Sequence, residues 1–71
     1  TQIKFNLNKS GDVALDLFDI RGAKIKSLIN KHHEAGAHIF SLDGSNLASG
    51  VYFYSLTVNG NTKTRKLALM K

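Results

Sequence analysis

The 71-residue chain contains no cysteine, no proline and no tryptophan. Without cysteine it has neither disulfides nor a thiolate zinc site to brace a small fold, so its 42% apolar residues must pack efficiently. The same absence leaves the redox compartment open, because a sufficient core makes disulfides dispensable outside the cell. No apolar run approaches the ~18 residues of a membrane span, and no charged-then-apolar opening marks a signal peptide. A helical stripe at three-and-four spacing is missing throughout. Carboxylates are scarce, five against ten lysines and arginines, for a net charge of +5. Such a balance permits an acidic partner only where cations cluster. Lys4, Lys9, Lys24, Lys26 and Lys31 stand singly, and the one dense stretch is Lys63, Arg65 and Lys66. Isolated lysines suit solvated strand positions, where they also oppose sheet-to-sheet aggregation. The length excludes a multi-domain enzyme, since a second core needs roughly 50 more residues; residues 1–71 are expected to be one soluble domain, without membrane insertion.

What the sequence does contain is two-residue alternation from end to end, which predicts an all-β chain. Ile3, Phe5 and Leu7 alternate with Lys4 and Asn6, placing three apolar groups on one face of a first strand. Residues 8–11 read as a turn, and Val13, Leu15 and Leu17 continue a second strand to the reversal at Asp19, Ile20, Arg21 and Gly22. A third strand is expected at 23–29, a polar loop crossing between sheets at 30–36 and a fourth strand at 37–42, with either His38, Phe40 and Leu42 or Ala37, Ile39 and Ser41 facing inward. Asp43, Gly44, Ser45 and Asn46 form a turn cluster, Leu47 plugs the end of the core, and Ser49-Gly50 turns the chain again. The strongest strand is 51–58, rich in aromatic and β-branched residues. Asn59-Gly60 then gives a type I′ hairpin signal into a last strand at 61–70. That turn places Tyr52, Tyr54, Leu56 and Val58 on the same face as Lys63, Arg65, Leu67 and Leu69. Arg65 fits this face poorly, which calls for either a bulge near Thr64 or an arginine stem lying over apolar surface with its head in water. Six to seven short strands with turns every eight to twelve residues favour an antiparallel β-sandwich, with a small barrel as the alternative.

Reaction chemistry finds little support. There is no Gly-x-Ser-x-Gly elbow and no thiol nucleophile. Asp12 and Asp43 sit where short carboxylates hydrogen-bond a turn backbone, Asp19 is read the same way, and no paired general acid and base emerges with Asp16 and Glu34. His32, His33, His38 and Glu34 offer metal-ligand types, yet adjacent strand histidines point opposite ways, so exposed loop histidines and one strand histidine are the preferred reading. Tyr52, Phe53 and Tyr54 near Lys63, Arg65 and Lys66 hint at a nucleic-acid platform, but alternation sends at least two of the rings inward. The six glycines lie at turn spacing rather than in a phosphate cradle. No catalytic, metal or cofactor site and no nucleic-acid partner is therefore expected.

The segments TQIKFNLNKSGDVALDLFDIRGAKI, GAHIFSLDGSNLASGVYFYSL and TRKLALMK together resemble the C-terminal sorting domain of the bacterial type IX secretion system. Thr1, Ile3, Phe5 and Leu7 match its opening alternation, and Val13, Leu15, Phe18, Asp19 and Gly22 its second strand and turn. Gly36, His38, Asp43, Gly44, Leu47, Ser49, Gly50 and Tyr52 follow its later pattern, with the Leu-x-Ser-Gly-x-Tyr element at 47–52 the most specific part; Lys66 and Lys71 fit its basic ending. Ala23 stands where the family often has arginine, and Leu42 where it often has tryptophan. The resemblance implies an Ig-like domain at the C-terminus of a secreted cargo, passing through the periplasm to the exterior or cell surface. It implies recognition by the outer-membrane translocon and removal by a sortase-like protease, with the domain a substrate and not an enzyme. Lys63, Arg65, Lys66, Leu67, Leu69 and Lys71 are the expected recognition residues, the leucines fixing register and the cations supplying charge. Similar Ig-like modules occur in flagellar hook-capping proteins and extracellular hydrolases, so the rival expectation is a structural or carbohydrate-contacting accessory module, with Phe18 and Phe53 its outward rings.

Overall fold

Each alternating segment forms a strand in the computed structural model, which describes residues 1–70. The strands are β1 (Gln2–Leu7), β2 (Gly11–Phe18), β3 (Lys24–His33), β4 (Gly36–Ser41), β5 (Gly50–Val58) and β6 (Asn61–Leu69). All pairings are antiparallel and fall into two sheets, one of β1 and β4, the other in the order β3-β2-β5-β6. Two sheets with open edges make a six-stranded sandwich and not a barrel.

Alternation in β1 and β2 supplies the facing layers. Ile3, Phe5 and Leu7 cluster with Val13, Leu15 and Ile29, while Phe40, Tyr54, Leu56 and Val58 pack around them. Val13, Leu15 and Leu17 are at most 1% exposed. Burial on that scale stabilises by about 1.5–3 kcal/mol per side chain relative to exposure. The two candidate faces of the fourth strand are resolved by its partner: His38 opposes Phe5 and Phe40 opposes Ile3, both turned inward, whereas Ile39 is exposed.

The expected loop at 30–36 is mostly strand. Asn30, Lys31, His32 and His33 pair with Ala14, Val13, Asp12 and Gly11. They occupy a sheet edge, where main-chain bonds to β2 hold the strand although the side chains are polar. The crossing between sheets does occur there, but takes only residues 34–35. Leu28 falls at a register shift between the Leu15–Ile29 and Asp16–Ser27 pairs, a β-bulge that follows from one extra residue on β3.

Asn59 and Gly60 have φ values of 50° and 85°, as a type I′ turn requires. From that turn the β5–β6 register runs without a shift from Val58–Asn61 to Gly50–Leu69, so no bulge occurs near Thr64. Arg65 keeps its place opposite Tyr54, exposed, where it lines a hollow together with Tyr54 and Leu56. This is the arrangement in which the guanidinium stays in water beside an apolar surface.

The layers are unequal. The two-stranded sheet closes over β2 and β3, where Phe5 meets His33 and His38, but leaves the inner face of β5 and β6 half covered.

Candidate recognition surface

Sequence features with motif-like spacing resolve into a turn, a corner and a sheet edge. The turn joins β2 to β3. Asp19 Oδ1 accepts the Arg21 N–H at 2.9 Å and the Ala23 N–H at 3.0 Å, while the Gly22 N–H donates to the Asp19 carbonyl at 3.0 Å. Gly22 has φ 87°, a conformation that costs a residue bearing Cβ of order 1 kcal/mol. The Ala23 N–H above all, helped by the N–H and guanidinium of Arg21, holds the Asp19 carboxyl below its ordinary value against some desolvation. Asp19 therefore stays ionised as the organiser of a turn.

The corner spans residues 43–52. Asp43 Oδ1 accepts the Ser45 N–H at 3.0 Å, confirming a turn carboxylate, and the Leu47 N–H bonds the Gly44 carbonyl at 3.0 Å. Leu47 is half-buried. The Tyr52 hydroxyl donates to the Ala48 carbonyl at 2.6 Å, so a ring that begins β5 clamps the chain that precedes it. This is the physical content of the Leu47-x-Ser49-Gly50-x-Tyr52 spacing: four residues back from a tyrosine lies the carbonyl its hydroxyl can reach, a geometry akin to the tyrosine corner of Ig-like sandwiches. Gly44 allows a close approach, because a Cβ there would lie 3.0 Å from both Leu69 methyls. Asp12 differs from expectation: it stands in β2, not at a turn backbone, with its carboxylate 3.7 Å from His32 Nδ1.

The edge is β6, which among the described residues is paired on one side, with β5. Lys63, Arg65, Leu67 and Leu69 share its inner face opposite Leu56, Tyr54, Tyr52 and Gly50, while Lys66 lies on the outer face opposite Phe53. Leu69 is buried, Leu67 half-buried, and the three cations are exposed. The expected recognition residues are thus divided between two faces, and Lys71 lies outside the described residues. Phe18 and Phe53 are cross-strand neighbours on the outer face.

The same division separates the candidate aromatic platform, since Tyr52 and Tyr54 face in and Phe53 faces out. His33 and His38 meet edge to face at 4.9 Å, and both contact Phe5. His38 Nε2–H donates to the Glu34 carbonyl at 2.6 Å. His32 instead stands between Asp12 and Glu34, 3.7 and 3.9 Å from their carboxylates. Among the described residues no three metal-binding side chains converge. The hydroxyl clamp of Tyr52, the seating of Leu69 on Gly44 and the ring cluster around Phe5 were missed at the level of sequence. Only the first had a local signal, a tyrosine just after a turn glycine.

An Ig-like β-sandwich whose most distinctive residues shape turns, a corner and a basic edge is a module of the recognition type. The chain belongs to the family of secretion system C-terminal sorting domains, whose family model matches residues 1–70. That membership makes it a type IX secretion sorting signal, of a generally non-catalytic kind, borne by a secreted or cell-surface cargo and read by the type IX machinery. No curated protein and no solved structure matches it.

Proposed function

We propose that residues 1–71 form the single C-terminal Ig-like domain of a cargo protein, a non-catalytic address that folds in the periplasm. The outer-membrane translocon reads it at the open edge of β6, and a sortase-like protease removes it during surface attachment. The observation that supports this reading is the character of β6: one unpaired main-chain edge, leucines 67 and 69 anchored in register, and Lys63, Arg65 and Lys66 exposed along it. An edge of this kind can pair with a receptor strand while its cations set charge complementarity.

Fusion of residues 1–71 to a reporter is expected to direct export in a bacterium possessing the machinery, and deletion of residues 67–71 to abolish it. Because Leu69 is buried, a Lys66→Glu variant, altered only at an exposed position, separates loss of recognition from loss of fold. Normal export of both variants would overturn the reading. The accessory-module alternative draws on Phe18 and Phe53 lying side by side on the outer face; retention on insoluble polysaccharide, with export unaffected by truncation, would favour it.

A further inference from the structure

A second open edge lies across the sandwich, on β1. The Leu42 N–H bonds the Thr1 carbonyl at 2.8 Å, in line with the register in which Gln2 opposes Ser41 and Phe5 opposes His38. Main-chain groups in an antiparallel pair alternate between the two sides of a strand. Thr1, Ile3, Phe5 and Leu7 therefore direct theirs at β4, and Gln2, Lys4 and Asn6 direct theirs away from it. No strand pairs with that side among the described residues.

This edge borders the half-covered inner face of β5 and β6. Between them is a hollow of about 960 Å³ with Tyr54, Leu56 and Val58 on its floor. Packed sheets lie about 10 Å apart, so a strand added beside β1 would sit over these residues at ordinary sandwich distance. Its inward side chains would meet apolar surface. The charges around the hollow are of one sign: Lys4, Lys9, Lys63 and Arg65 line it, no carboxylate does, and none of the four has an ion-pair partner among the described residues.

We propose that the open edge of β1 takes up an extended peptide strand of alternating apolar and acidic residues, which extends the two-stranded sheet across the hollow. Main-chain bonds to Gln2, Lys4 and Asn6 would set its register. Its inward apolar side chains would cover Tyr54, Leu56 and Val58, while its carboxylates point to the other side, beside Lys4, and answer Lys9, Lys63 and Arg65 through the positive field around the hollow rather than by direct contact. A partner chain supplies this strand better than a second copy, since each copy carries +5. The main-chain edge it uses is that of β1 and not that of β6, although Lys63 and Arg65 of β6 line both, so the peptide titration tests it apart from export.

The test titrates the 71-residue chain into a fluorescein-labelled octapeptide of alternating valine and glutamate at low ionic strength, followed by anisotropy and by amide NMR. Saturable binding is expected, with the largest amide shifts at Gln2, Lys4 and Asn6. A block peptide of the same composition, four valines and then four glutamates, is expected to bind at least about tenfold more weakly, and alternate N-methylation to remove binding. Lys63→Glu with Arg65→Glu should weaken binding about tenfold or more without moving the melting temperature, because both side chains are exposed. Equal binding of the block peptide, shifts confined to β6, no saturation, or sedimentation showing a self-dimer that fills this edge would each overturn the proposal.

Discussion

β2 and β6 belong to the same sheet, with β5 between them, and both place aliphatic residues on the inner face. In β2 that face carries Val13, Leu15 and Leu17, sealed from water; in β6 it carries Lys63 and Arg65, exposed, before Leu67 and Leu69 regain cover. The backbone places both sets on one side, but only the strands above decide whether that side is dry. Two strands cannot roof four. The closed half is held by broad apolar burial, and the open half by fewer contacts, the seat of Leu69 on Gly44 and the Tyr52 bond to Ala48 at the corner.

The sharpest way to break this contrast is truncation within it. Leu15→Ala is expected to cost about 2–5 kcal/mol in urea unfolding, while Leu67→Ala, half-buried on the open half, should cost clearly less. Equal losses would show that both halves are closed. Tyr52→Phe comes next: it keeps the ring and removes only the bond to Ala48, for an expected loss of about 0.5–1.5 kcal/mol at unchanged denaturant slope. A ring that held the corner by packing alone would leave the midpoint where it was.

The smallest effect depends on pH. The Asp19 carboxyl titrates lower in the folded chain than its ordinary value, so its contribution is present at neutral pH and is lost as the pH falls through that lowered folded value. Asp19→Asn keeps an oxygen for the N–H groups of Arg21 and Ala23 but cannot titrate. The variant is expected to show a flatter acid limb in melting temperature against pH; an unchanged limb would place the acid sensitivity elsewhere.

Legibility in the sequence followed the range of the forces involved. The Asn59-Gly60 hairpin, the Asp19 turn and the inward face of β1 depend on neighbours in the chain, and each was readable there. The length of β3 was not, because Asn30 to His33 are held by main-chain pairing with β2 that polar side chains neither advertise nor prevent. Arg65 shows the intermediate case: alternation named its face, but choosing between a bulge and a water-directed guanidinium required the unbroken register of β5 with β6. Family resemblance recovered the positions of the corner, whereas the bonds that give those positions their roles came only with the fold. The division of the basic residues between two faces was legible in the same alternation, whereas the share of the inner face left open was not, since it reflects which strands the second sheet covers.

The seat that Gly44 provides for Leu69 joins the tail of the last strand to a corner formed much earlier in the chain. Such a latch makes the tail an indicator of assembly: whatever disorders the corner also frees the leucine, and a frayed tail no longer presents its edge in register. A receptor gripping that end would thereby inspect workmanship as well as destination.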